Sequence, residues 1–219
     1  MILIVVVVAA LAGPGVVLSS RLQNDVRRDL RARDASVRVV AGPVAIAQGR
    51  LARLTLRARG ATLDGASVDE VTLDLHGVTI DPGRAFRGDL VLRRVERGTA
   101  VLVVGEESLR RYLAEGRGFR NAGVRMDDGV VTVTGQVTVL NALVDVTLRA
   151  GLVVRAGRHL ALDVQQLRVS GLEVPRDVGN ALAISINPIL TAPREPVALR
   201  LTGVTVGGGT ARIFGEVVP

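Results

Sequence analysis

The sequence predicts an α+β fold: a strongly curved antiparallel β-sheet wrapped around one or two helices, with an apolar segment in front of it. The first observation is a motif that occurs twice. Val71-Thr-Leu-Asp-Leu-His-Gly-Val-Thr-Ile-Asp-Pro-Gly83 returns as Val197-Ala-Leu-Arg-Leu-Thr-Gly-Val-Thr-Val-Gly-Gly-Gly209, and in both copies the alternating apolar residues slip by one position at a glycine. Such a slip is how a β-bulge looks in sequence, and a bulge bends a strand and raises its twist. The second observation is composition. Hydrophobic residues make up 48% of the 219 residues but aromatics only 2%, with no Trp and one Tyr, so the interior is built from Val, Leu, Ile and Ala. Branched aliphatic side chains suit pleated surfaces. The third is punctuation: Gly and Pro divide the chain into short alternating runs, the pattern of an antiparallel meander.

Met1 to Leu18 carries no charged side chain and reads as a signal peptide or membrane anchor, with 19–219 as a single domain behind it. The basic residues expected in front of such a segment are missing, which a start placed slightly late explains; a buried strand over Ile2 to Ala10 is the alternative. Leu18, Leu22, Val26 and Leu30 then recur every four residues with charges between them, predicting an amphipathic helix. Its Arg21, Arg27 and Arg28 are candidates for contact with anionic headgroups at a membrane surface, an ordinary solvated face being the alternative.

Strands are predicted at Val37 to Val40, Leu51 to Arg59, Val68 to Ile80, Leu90 to Val95 and Thr99 to Val104. The series breaks at Gly105, where Glu106 and Glu107 precede Leu109, Tyr112 and Leu113 and Gly116 follows: acids in the first turn, an apolar stripe and a terminal glycine describe a short helix. Asp127-Asp128-Gly129 predicts a tight hairpin turn. Beyond it Val131, Val133, Val137 and Val139 alternate with Thr132, Thr134, Gln136 and Thr138, one face apolar and the other wet. Further strands run from Leu143 to Val154 and from Leu160 to Val169, the latter slipping phase at Gln165-Gln166. Pro175 opens a helix containing Val178, Ala181, Leu182, Ala183, Ile184 and Ile186, stopped by Asn187-Pro188; being apolar nearly all round, it is expected to be enclosed by the curved sheet. Strands at Val197 to Val206 and Thr210 to Val218 close the domain.

All 28 basic residues are Arg, and the formal net charge is +7. A positive surface attracts phosphate, in lipid or in nucleic acid. Scattered Arg and widely separated Phe86, Tyr112, Phe119 and Phe214 provide neither a basic groove nor stacking platforms, which argues against nucleic acid. The absence of Cys removes disulfides, thiolate metal sites and a Cys nucleophile. His76 and His159 have no neighbour at ligand spacing, so neither a metal nor another cofactor is expected. The pairs Asp69-Glu70, Glu106-Glu107 and Asp127-Asp128 each have a local structural use, no Gly-x-Ser-x-Gly elbow occurs, and Gly207 to Gly209 precede a strand rather than a helix. No catalytic residues are expected.

What remains is the aliphatic surplus. A curved sheet lacking bulky aromatics leaves an elongated apolar slot suited to acyl chains, or else a dry packed core. The residues predicted to line the slot are Leu73, Leu75, Val131, Val133, Val144, Val146, Leu162, Leu199 and Leu201, with Leu182 and Ile186 from the enclosed helix.

Several segments taken in order resemble the LmeA-like phospholipid-binding family of bacterial cell-envelope proteins. They are the apolar segment with its Arg-rich helix, Ala61 to Gly65 leading to Val71 through Val78, Thr99 through Leu109, Asp128 through Gly135, Val174-Pro175, Ile186 to Pro188, and the closing glycine-rich hairpin. Gly105 stands where that family usually has Thr, and Glu195-Pro196 where it usually has Leu-Pro. The resemblance implies a TULIP-like fold, an extracytoplasmic location and non-catalytic binding of phospholipid or a related acyl lipid. The rival expectations are an envelope adaptor with a solid core and a hydrolase acting on envelope lipids.

Overall fold

The computed structural model describes residues 32–63, 66–85, 91–139, 141–193 and 198–218. The apolar segment 1–18 and the Arg-rich stretch with Arg21, Arg27 and Arg28 lie outside the described residues. Sheet A contains β1 (Asp34–Val40), β2 (Arg50–Leu63), β3 (Ala66–Ile80), β4 (Leu92–Gly105), β12 (Thr210–Val217) and β11 (Leu199–Gly207), side by side in that order. Sheet B runs β10 (Leu190–Thr191), β8 (His159–Val169), β7 (Ala142–Arg155), β6 (Val130–Val139) and β5 (Arg120–Asp127), with β9 (Leu172–Glu173) also paired to β8. All pairings are antiparallel. The short helices are α1 (Pro43–Ala47), α2 (Pro82–Ala85), α3 (Glu106–Gly116) and α4 (Arg176–Ile186). The class is the expected α+β, but the meander divides into two sheets rather than one. The division falls at α3, which takes the chain off β4 and delivers it to β5.

The two sheets are stitched together along β11. Leu201 N donates to Gly157 O (2.7 Å) in the β7–β8 turn, Gly129 N to Val206 O (3.1 Å), and Gly209 N to Met126 O (3.0 Å). Inward-facing Leu54, Val71, Leu75, Ala100, Leu102 and Ile213 of sheet A and Val131, Val133, Leu148, Ala150 and Leu162 of sheet B form the core, all nearly free of solvent. Small and medium aliphatics fill it, as the composition requires.

The alternation of buried residues slips on neighbouring strands of sheet A. Leu51 and Leu54 on β2, Leu75 and Val78 on β3, and Val95 and Ala100 on β4 are all buried, so each strand loses its period-two phase at one height. Because Leu51 pairs with Val78 and Val78 with Val95, the three slips are aligned and the pairing register is kept across them. Gly77, at φ +60°, provides the unusual conformation on β3; the register shift against β4 comes later, between Thr79 and Ile80. In the second copy the shift lies between Leu201 and Gly203, at the predicted glycine. On β8 Gln165 is the unpaired residue, since Arg149 pairs with Gln166 and Ala150 with Val164.

Local signals also hold. Asp128 (φ +46°) and Gly129 (φ +81°) form the β5–β6 turn, the two positive φ values that a type I′ hairpin needs. Glu106 and Glu107 occupy the first turn of α3. The N-terminus of α3 has no cap from its own Gly105; instead Asp69 of β3 accepts hydrogen bonds from Gly105 N and from Ser108 Oγ (2.6 Å). The runs predicted as two strands at Leu90 to Val95 and Thr99 to Val104 are one strand, β4.

The expectation that the sheet encloses the 176–186 helix fails. α4 packs on β8 through Gly179, Leu182, Ala183 and Ile186, while Val178 and Ile184 on its other side are 49% and 78% exposed. Its counterpart on β8 is a strand edge, which covers only one side of a helix.

Candidate functional site

The N–H and C=O groups of β8 between the β10 pairing and the β9 pairing need partners, because an unpaired strand edge is costly to bury. At Leu162 the partner is a side chain: Leu162 N donates to Asn187 Oδ1 (2.8 Å) and Asn187 Nδ2 donates back to Leu162 O (2.9 Å). Asn187 thus imitates one residue of a neighbouring strand and ties the C-terminal end of α4 to β8. A second clamp comes from α3. Tyr112 Oη donates to Pro188 O (2.7 Å), Arg117 Nε donates to Tyr112 Oη (2.8 Å) and Arg117 Nη1 to Ser185 O (3.2 Å), with the guanidinium 5.1 Å from the centre of the Tyr112 ring. Near the other end, Gly179 lets α4 approach β8 closely; a Cβ there would lie 3.1 Å from Val164 Cγ1.

Along the contact of helix and strand lies a groove of about 500 Å³ lined by Arg155, His159, Ala161, Leu162, Asp163, Val164, Ala183, Ile184, Asn187 and Pro188. That volume falls within the roughly 300–1,000 Å³ of ordinary small-molecule sites. Its walls are mainly aliphatic, and its polar side chains include Arg155, His159 and Asp163. Arg155 lies 3.5 Å from Asp163, both side chains more than half exposed, so the pair is solvent-screened and contributes little to stability. Nδ1 of His159 is 3.3 Å from Thr191 Oγ1. A smaller cavity of about 80 Å³ lies at the start of α4, against Val164 to Leu167 and Glu173 to Pro175.

The eleven residues predicted for the slot are not gathered at this groove. Leu162 lines it. Leu182, half-buried, and Ile186, fully buried, belong to the helix that forms one wall. Leu75, Val131, Val133, Val146, Leu199 and Leu201 are buried in the core, and Leu73 and Val144 are half-buried. Arg155, His159, Ala161, Val164, Ala183 and Ile184 were not singled out as lining residues. Two signals were available: the apolar face of α4 is too wide for a helix seated on a strand edge, and an imidazole stands at the start of a hydrophobic strand.

Other polar constellations have structural uses. Asp74 of β3 accepts from both Nε (2.7 Å) and Nη2 of Arg53, with His76 Nε2 3.5 Å away. The Arg53 hydrogen bonds hold the Asp74 carboxyl below the usual carboxylate range. Glu106 Oε1 accepts from Met126 N (2.7 Å). Among the described residues no group of three or more His, Asp or Glu is placed to hold a metal ion, and no helix is long and apolar enough to cross a membrane.

An apolar groove with a charged rim suits a molecule with a hydrocarbon part and a polar head. No curated protein and no solved structure matches the chain. A family profile does match it, over residues 9–216, nearly its whole length, and the chain belongs to the LmeA-like phospholipid-binding family.

Proposed function

We propose that the protein is a non-catalytic binder of phospholipid or a related acyl lipid, with a tail lying along the groove between α4 and β8 and an anionic headgroup at Arg155 and His159. The observation that carries this reading is the 500 Å³ groove, aliphatic along its walls and with Arg155, His159 and Asp163 among its lining, in a chain of a phospholipid-binding family. Magnitudes show why both parts are needed. Burying a methylene is worth about 0.8 kcal/mol, so a half-covered tail of about seven methylenes gains roughly 6 kcal/mol, only tens of micromolar in affinity. A charge-assisted hydrogen bond from Arg155 to phosphate adds about 1.5–3 kcal/mol more. The Arg155–Asp163 pair is no obstacle, because an exposed ion pair at 3.5 Å is easily exchanged for another.

Of the residues predicted for the slot, Leu162 lines this groove and Leu182 and Ile186 belong to its helical wall; Leu73, Leu75, Val131, Val133, Val146, Leu199 and Leu201 lie in or against the packed core, and Val144 is half-buried. Placement in the cell envelope, export or anchoring by segment 1–18, and headgroup contact by Arg21, Arg27 and Arg28 belong to the same proposal. So does the TULIP-like likeness, with which the aligned slips of alternation on β2, β3 and β4 agree.

Extraction of the folded, purified protein with organic solvent, followed by mass spectrometry, tests the reading. The expected result is acyl lipid near one equivalent, lost in Ala183→Phe, whose ring fills the groove, and retained in Val44→Phe on the distant α1. Absence of lipid from the wild-type protein favours an envelope adaptor with a solid core.

A further inference from the structure

We propose that the outward side of α4, together with Leu172 just before it, docks on an anionic lipid bilayer and sets the rim of the groove against the membrane. The inference rests on the reading that the groove takes an acyl lipid. Val178, Ala181 and Ile184 recur at three-residue spacing, which at about 100° per residue spreads them over roughly 120° of the helix surface. All three are exposed, Val178 at 49% and Ile184 at 78%, and Leu172 is 74% exposed. Large aliphatic side chains left in water together on one element mark an interaction surface.

Charge and position select the partner. Ile184 lines the same groove as Arg155 and His159, and Arg117 holds the same end of the helix through Ser185 O. Three acids stand near this surface: Asp163 is paired with Arg155, while Asp177 in the first turn of α4 and Glu173, which accepts from Gln166 Nε2 (3.0 Å), lie at the opposite end. The groove end is therefore cationic, in a chain of net charge +7. Exposed aliphatics along one side of a helix, with Arg117 and Arg155 at its groove end, suit a membrane interface. A soluble acidic protein would satisfy the charge alone. The bilayer is selected because a tail entering a groove whose rim touches the membrane does not cross water, where every methylene adds to the barrier.

The chain has no cysteine, so single labels can be placed cleanly in the full-length protein. Ile184→Cys and Val178→Cys, each carrying an environment-sensitive fluorophore, are compared with Val44→Cys on α1, a position 71% exposed. With vesicles of mixed phosphatidylglycerol and phosphatidylcholine, the labels at 184 and 178 are expected to shift to the blue, less so with phosphatidylcholine alone or in high salt, while the label at 44 stays unchanged. The proposal is overturned if the 184 label keeps its aqueous emission with the vesicles present, if the label at 44 shifts equally, or if the 184 shift appears without vesicles as protein concentration rises, which marks self-association. Lipid content of the same samples separates the two readings. Insertion without bound lipid defeats the groove alone, and bound lipid without insertion defeats the docking surface alone.

Discussion

Single residues in this protein are informative where one side chain does work that the local backbone leaves undone. Asp69 caps a helix from a different element, and its loss leaves Gly105 N without that acceptor and the buried Ser108 hydroxyl without its partner. Asp69→Ala is expected to lower the unfolding free energy by about 1–2 kcal/mol in urea titration. Asn187 is the more consequential case, because it satisfies both backbone groups of a residue that is fully buried. Asn187→Ala should cost roughly 2–3 kcal/mol and weaken lipid retention together, since the same bonds close the groove. The carboxyl of Asp74 presents a pH signature. Hydrogen bonds from Arg53 depress its folded-state pKa below the unfolded value, so the stabilisation is present above the ordinary carboxylate range and is lost as pH falls through the depressed value. In an NMR titration Arg53→Ala should bring the Asp74 midpoint back up towards the value of a free aspartate.

Secondary-structure elements add a constraint that no residue shows alone, which is coordination between neighbours. Three strands of sheet A lose phase at one height, and Gly98, paired with Leu75, lies at that height. A Cβ there would lie 2.6 Å from Leu75 Cδ2, 2.9 Å from Val217 Cγ2 and 3.0 Å from Asp74 O. Gly98→Ala is therefore expected to destabilise the fold by about 1–3 kcal/mol, measured by chemical denaturation, although alanine is a mild substitution elsewhere. α4 offers the complementary experiment. Gly179 is its point of close approach to β8, and Gly179→Leu should raise hydrogen exchange across 176–186 while leaving the protection of β6 and β7 unchanged. Much of this level could be read from the chain. Asp128-Gly129, Glu106-Glu107 and the glycine slips are local signals whose meaning does not depend on distant contacts. The merging of two predicted strands into β4 was hidden because Glu96 to Gly98 looks like a turn until β3 is placed beside it.

For the molecule as a whole, the proposed cargo would be part of its stability. A ligand that binds only the folded state raises the unfolding midpoint by mass action, so removing lipid should lower the melting temperature and adding back phosphatidylglycerol should restore it. The sequence alone determined the α+β class, the aliphatic interior, most strand positions and the family, because alternation, turn chemistry and motif order are properties of neighbours along the chain. Only the tertiary structure decided that the sheet is two sheets, that α4 rests on an edge instead of inside, and where the groove opens. Alternation says which side chains share a face, whereas a cavity exists only where two faces from distant parts of the chain fail to meet.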